Sequence, residues 1–210
     1  MRSVLLTTSY FPSVQYCSKL VHFTDIYLEY FDNYDRQTYR NRCNILSANG
    51  AICLSIPVVK PAGERQKTGD VLIDYSYNWQ RNHFQAIKSA YRKSAYYDYY
   101  IDELESFFRI HEESLFMQNY KILLKLLEII GIERNIRITK EYAESAPPII
   151  DLRYTMQPKS QKNSLDPHFC PQPYHQVYPE KFPFIPNLSV LDLIFNEGPL
   201  SLQFLAESYK

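Results

Sequence analysis

The sequence predicts an α/β fold, a mixed sheet with an opening βαβ unit and a hairpin, flanked by helices. Three observations carry that expectation. Residues 3–8 and 25–30 are apolar or alternating runs that enclose a helical stretch, the pattern of a strand-helix-strand unit. Asn49-Gly50 is followed by an apolar run over residues 51–56 and is a strong hairpin signal, because both residues tolerate positive φ. Residues 114–130 repeat apolar side chains at helical spacing throughout. At 210 residues the chain is long enough for one sizeable core, and a single domain over 1–210 is expected, with a Pro-rich extended arm over 142–186.

Taken in order, residues 3–8 read as a short buried strand. Pro12 or Ser13 then opens a helix that runs to about residue 23, where a missing N–H or a capping hydroxyl fits the first turn. Residues 25–30 return as a strand, so the crossover is expected to be right-handed. Ligands in such sheets sit beyond the carboxyl ends of the strands, which brings the 9–13 loop beside the 31–42 segment. The second hairpin strand is stopped by Pro57. Residues 59–70 hold a proline and two glycines and read as a polar loop placed to act as a lid. Residues 71–75 make a further short strand. Asn78 caps a helix with Trp79, His83, Ala86, Ile87, Ala90 and Tyr91 on its inner face and Gln80, Arg81, Gln85, Lys88 and Arg92 outside. Residues 96–109 continue helical, the 114–130 helix ends at Gly131, and 135–139 returns as a strand. The final helix begins near Asn187 or Ser189.

The charge balance narrows the partners. Lys plus Arg number 23 and so do Asp plus Glu, which leaves no basic field to collect nucleic acid or an acidic membrane surface. The opening residues lack the apolar core of a secretory signal, and the most apolar run, 122–132, is broken by Lys125 and Glu128, well short of the ~20 residues a span requires. A cytoplasmic location without membrane insertion is expected. Cys17, Cys43, Cys53 and Cys170 lie far apart with no C-x-x-C, so reduced thiols are expected rather than zinc or disulfides. His168 and His175 match no ligand spacing, so no metal site is expected. The five glycines assemble neither a G-x-G-x-x-G turn nor a Walker loop, and no cofactor is identified.

The candidate chemistry lies in residues 36–42. Arg36, Arg40 and Arg42 offer planar donor forks, Gln37 and Asn41 amides and Tyr39 a phenol, a set suited to gripping an anion or a sugar. His83 points inward from its helix, either as a satisfied core histidine or as a general base at a pocket floor. Asp192 either caps the last helix or is buried and needs a cationic partner, for which an arginine of the central cluster is the candidate. The expected site has Tyr10, Asn41, Arg42, His83, Tyr174, Gln176 and Asp192 around one concave pocket. Its catalytic roles fall to His83, Arg42 and Asp192, and Tyr10, Gln37, Tyr39, Asn41, Trp79, Tyr174 and Gln176 bind substrate.

Several ordered blocks carry a family resemblance. They are S-Y-F-P-S-V-Q-Y (9–16), Q-T-Y-R-N-R-C (37–43), N-G followed by L-S-I-P-V (49–58), N-W-x-x-x-H (78–83), D-P-H-F (166–169), P-Y-H-Q-V (173–177) and F-I-P-N-L-S-V-L-D-L-I-F-N-E-G-P (184–199). Through them the chain resembles the WbqC-like protein family over nearly its whole length. The family recurs in bacterial O-antigen and surface-polysaccharide gene clusters and has been suggested to include a glycine transferase. The resemblance therefore implies a transferase that moves an acyl or aminoacyl group, such as glycyl, to an amino sugar, with a small-molecule substrate such as a nucleotide sugar. The alternative is a non-catalytic sugar- or nucleotide-binding or scaffold protein of glycan assembly. The chain departs from other members at Thr8-Ser9, where many carry Gln-Pro, at Gln15, where a glycine is common, and at Tyr39, where a tryptophan is common.

Overall fold

The computed structural model describes residues 2–60, 66–144, 148–158 and 166–210. Strand β1 (Ser3–Leu6), helix α1 (Val14–His22) and strand β2 (Asp25–Leu28) form the opening unit, with the two strands parallel. Ser13 caps α1 through its side chain, which accepts from the Tyr16 amide. Strands β3 (Arg42–Ser47) and β4 (Gly50–Ser55) form the hairpin, with Gly50 at φ 105° opposite Ser47. The hairpin stays a separate two-stranded sheet instead of joining the parallel one. Its inward residues Cys43, Ile45, Leu54 and Ile56 share one core with Val4, Leu6, Ile26 and Leu28.

Helix α2 (Trp79–Tyr91) is capped by Asn78, and α3 (Tyr97–Glu105) runs on into a short 3-10 turn. Helix α4 (Leu115–Ile130) starts at the Ser114 cap and ends where Gly131 turns left-handed. Its apolar stripe is buried, and Gln118 and Asn119 are buried with it. Strand β5 (Asn135–Ile138) lies along β2, and helices α5 (Val190–Glu197) and α6 (Ser201–Glu207) pack against α1.

Three sequence expectations give way here. Residues 71–75 make no strand; only single bridges join Leu72 to Ser114 and Ile73 to Val58, since neither neighbour continues in register. Gln80 is buried, because its Nε2 donates to the Phe107 and Ile110 carbonyls at 3.3 and 2.8 Å. The Pro-rich arm contributes a strand, β6 (Ile149–Asp151), which pairs parallel with β1 and completes the order β5-β2-β1-β6. The lid reading of residues 59–70 falls on 61–65, which lie outside the described residues. On its near side, residues 68–70 form a 3-10 turn against Tyr30, whose carbonyl accepts from the Gly69 amide.

Candidate functional site

All four strands of the larger sheet are parallel, and the chain leaves β1 for β2 on one side while β6 arrives on the other. The gap beyond the carboxyl ends of β1 and β6 is therefore the topological switch point, the position where open α/β sheets bind ligands. A crevice lies there. Thr7, Thr8 and Ser9 line it from the end of β1, Ser13 from the cap of α1, Arg40 from the loop before the hairpin, and Arg153 from the end of β6. Tyr39, Met156 and Gln157 complete the lining. The free space is about 10 Å³, the room of a single water molecule.

Main-chain bonds set this geometry. The Tyr10 amide donates to the Tyr39 carbonyl at 2.9 Å, which laces the 7–13 loop to the 38–40 segment. Asn119 Nδ2 donates to the Arg40 carbonyl at 2.6 Å and lies 3.4 Å from Thr8 Oγ1, so α4 fixes both walls at once. Phe11 sits at φ 37°, a strained angle for a bulky residue, and its carbonyl accepts from Ser189 Oγ. That bond, with Val190 N to Pro12 O and Val14 N to Leu188 O, seats the start of α5 against the start of α1.

Behind the crevice stands a buried network of charge. Arg153 is 3 % exposed; its Nε and Nη2 bind Asp151 and its Nη1 reaches Glu29 Oε2 at 3.3 Å. Glu29 accepts in addition from the Phe31 and Ala143 amides and from Thr139 Oγ1. Arg40, 1 % exposed, donates from Nη2 to Asp32 Oδ2 at 2.8 Å, while Asp32 Oδ1 accepts from Tyr154 Oη at 2.6 Å. The bonds to Asp151 hold the Arg153 guanidinium charged, and burial followed by Asp32 pushes the Tyr154 phenol up. Arg40 Nε is buried without a hydrogen-bond partner. Arg40 and Arg153 thus belong to the crevice lining while Glu29, Asp32 and Asp151 engage their guanidinium groups through charge-assisted hydrogen bonds.

The ten expected site residues, seven of them placed around one pocket by the sequence reading, fall into separate groups. Tyr39 lines the crevice. Tyr10, Trp79 and His83 come together in the core: Tyr10 Oη lies 2.9 Å from His83 Nδ1, and the Trp79 ring stands edge-on to both. Burial lowers the His83 pKa to about 4, opposed by a hydrogen bond to the Ser55 backbone, so the ring is neutral at pH 7 and both its nitrogens are engaged. Tyr174, Gln176 and Asp192 form a second buried group, with Tyr174 Oη at 2.8 Å and Gln176 Nε2 at 3.0 Å from Asp192 Oδ2. Among the described residues no arginine is a partner of Asp192; neutral donors serve instead, and burial raises its pKa to about 6. Asn41 Nδ2 donates to the Ile56 carbonyl, Arg42 stands half-buried at the head of β3 opposite Ser55, and Gln37 is exposed at φ 64°.

Glu29, Asp32, Asp151 and Arg153 were not among the expected site residues. The one available signal was the placement of Glu29 and Asp32 just after a predicted strand, where the switch-point rule puts function. A second missed network ties the arm to α1: Lys19 pairs with Asp166, Gln15 Nε2 donates to Asp166 Oδ2 at 3.0 Å, and Asn187 Nδ2 donates to Gln15 Oε1. Among the described residues no cluster of metal-ligating side chains occurs, and no helix is long and apolar enough to cross a membrane.

The fold is that of an α/β protein with a small crevice at the switch point of a parallel sheet. The chain belongs to the WbqC-like protein family, whose model matches residues 8–152, from the β1 loop through β6. It is 24 % identical over 140 residues to the uncharacterized protein Rv1507c of Mycobacterium tuberculosis, covering 66 % of this chain and 60 % of that one. The chain thus spans less than two thirds of the length of the curated relative it matches. No solved structure matches.

Proposed function

We propose that the protein is a transferase of surface-glycan assembly that seats the anionic part of a small-molecule substrate, such as a nucleotide sugar, in the switch-point crevice. In this reading the transferred group is an acyl or aminoacyl group, such as glycyl, and the acceptor is the amine of an amino sugar. The observation that carries it is the presence of two buried guanidinium groups, Arg40 and Arg153, in the lining of one crevice at the switch point, with Arg40 Nε lacking a hydrogen-bond partner. Arg40 and Arg153 take the anion-holding role first expected of Arg42 and stabilise the oxyanion as the amine nitrogen bonds to the acyl carbon, the leaving group departs with the bonding electron pair and the amine's proton passes to solvent. Tyr39 contributes to the crevice wall, while its phenol is hydrogen-bonded to Asn44 of the hairpin. His83 and Asp192 act as anchors of the core beneath the site. A substrate larger than water enters when lining residues such as Met156 and Gln157 move aside.

The test is a thermal-shift and calorimetric titration with UDP-glucose, UDP-N-acetylglucosamine and a non-hydrolysable glycyl-adenylate analogue. Binding by the wild type, and its loss in Thr7→Trp, whose indole exceeds the free space and obstructs the crevice, is the expected result. Thr7 makes no strong side-chain bond, its Oγ1 lying 3.5 Å from the Thr8 carbonyl, so the fold should survive the change. Absence of binding by every probe, or binding unchanged in a folded Thr7→Trp protein, overturns the reading. Mass spectrometry of an amino sugar incubated with an activated glycine then separates a transferase, which yields the N-glycylated sugar, from a binding protein, which yields none.

A further inference from the structure

We propose a second ligand site: the cleft between the C-terminal end of α2 and residues 175–180 binds a monosaccharide that carries an anionic group, a carboxylate or a phosphate. The cleft encloses about 660 Å³, within the ~300–1,000 Å³ of small-molecule sites. It shares no lining residue with the switch-point crevice, so the inference stands apart from the function proposed above.

The lining has the parts a charged sugar needs. Arg92 and Lys93 stand exposed on one wall, and His175 and Tyr178 form the other. Asn196 lies at the base; its Nδ2 donates to the Asp192 carbonyl at 2.7 Å, which leaves the amide oxygen as an acceptor for a sugar hydroxyl. Tyr178 supplies an aromatic face with a polar tip, and Lys181 lies over its ring at 5.7 Å from the centroid. Arg92, Lys93 and Lys181 stand against Glu180 and Glu197, the latter bonded to the His175 amide, which leaves one positive charge in excess in a protein whose formal charge is zero. The last carbonyls of α2 oppose that field with about half a charge, too little to reverse it.

The backbone gives an independent indication. Tyr178 sits at φ 63°, in the left-handed region that a bulky side chain rarely adopts. Its carbonyl accepts from the Lys181 and Phe182 amides at 2.9 and 3.2 Å, so the turn itself holds the angle, and a glycine would satisfy the same turn without strain. A tyrosine kept at a position suited to glycine sets its ring beside the cleft.

Saturation-transfer NMR with glucuronate, glucose 1-phosphate and glucose decides the matter, with inorganic phosphate as competitor. At least one anionic sugar should bind, tenfold or more tightly than glucose, and phosphate should compete poorly; which of the two wins identifies the anionic group. The pair Arg92→Ala/Lys93→Ala should abolish the preference over glucose. Tyr178→Gly should weaken sugar binding at least tenfold while raising the melting temperature, a combination that general damage to the fold cannot produce. The proposal is overturned if neither anionic sugar binds, if inorganic phosphate binds as tightly as glucose 1-phosphate, or if both variants bind like wild type. Thr7→Trp should leave this binding intact; its loss there instead would assign the sugar to the crevice and overturn the second site.

Discussion

Glu29 and Arg153 stand 124 positions apart and meet as an ion pair at 3.3 Å, with neither side chain more than 3 % exposed. Their contact joins the end of β2 to the end of β6 beneath the crevice. Removing one partner strands the other charge away from water. Arg153→Ala is therefore expected to cost about 3–5 kcal/mol, measured by urea denaturation, and Arg153→Lys less, because it keeps the charge and loses the fork that grips Asp151. A loss in Arg153→Ala below about 1 kcal/mol, the worth of an exposed pair, would contradict this account of the network.

Protonation of His83 should weaken the fold. Its pKa falls from 6.5 to about 4 on folding, so the unfolded chain binds more protons between those values. The stability it contributes is complete above pH 6.5, declines as pH falls toward 4 and levels off below. A two-dimensional NMR titration should find His83 still neutral at pH 5. Tyr10→Phe removes the donor to Nδ1 and leaves that nitrogen bare, at a cost of about 1–3 kcal/mol.

Asp192 should act in the opposite sense. Its pKa rises from 3.8 to about 6 on folding, so the native state holds the proton longer, and stability falls as pH rises from 3.8 through 6. Asp192→Asn removes the buried charge yet keeps an oxygen for Tyr174 and Gln176, and should raise stability at pH 8 relative to wild type while changing it little at pH 4. Asp192→Ala orphans both donors and should cost about 1–3 kcal/mol. Denaturation curves of the two variants at pH 4 and pH 8 check the pattern; a destabilised Asp192→Asn at pH 8 would mean that the ionised carboxylate is the better partner.

Gly69 and Gly131 should respond to alanine in the reverse order of their dihedral angles. Gly131 has φ 80°, yet an added Cβ meets nothing within 4 Å, so Gly131→Ala costs only the left-handed strain, about 1–2 kcal/mol. A Cβ on Gly69 would fall 2.1 Å from Tyr30 Cζ, a ring that packs on Phe31 and Phe116. Gly69→Ala should be the more damaging by thermal melt, and Gly69→Ala with Tyr30→Ala should recover part of the loss.

The sequence revealed those elements whose cause is local. The caps at Ser13, Asn78, Ser114 and Ser189 act within one turn, and Asn49-Gly50 closes a hairpin by its own backbone preferences, so each could be read directly. Strand β6 could not: Ile149, Ile150 and Asp151 are too few to show a period and lie among prolines. The polar cluster of residues 36–42 drew notice for its donors, but only long-range packing decides that Arg40 is enclosed while Arg36 and Gln37 face solvent. Likewise nothing near Glu29 names Arg153 as its partner.

The place of β6 has a consequence for how the chain is made. Strand β1 needs β6 as its neighbour, with Ser3 aligned to Ile149. At the usual ~5–20 residues per second of synthesis, the nascent chain spends roughly 7–30 s with the edge of Val4, Leu5 and Leu6 open on that side. The crevice walls at Thr7–Ser9 exist early, but the wall at Arg153 arrives only when the later part of the chain has emerged. Completion of the crevice is therefore a late event in translation, and a ribosome-bound chain stalled before residue 149 should carry an apolar strand edge suited to capture by chaperones.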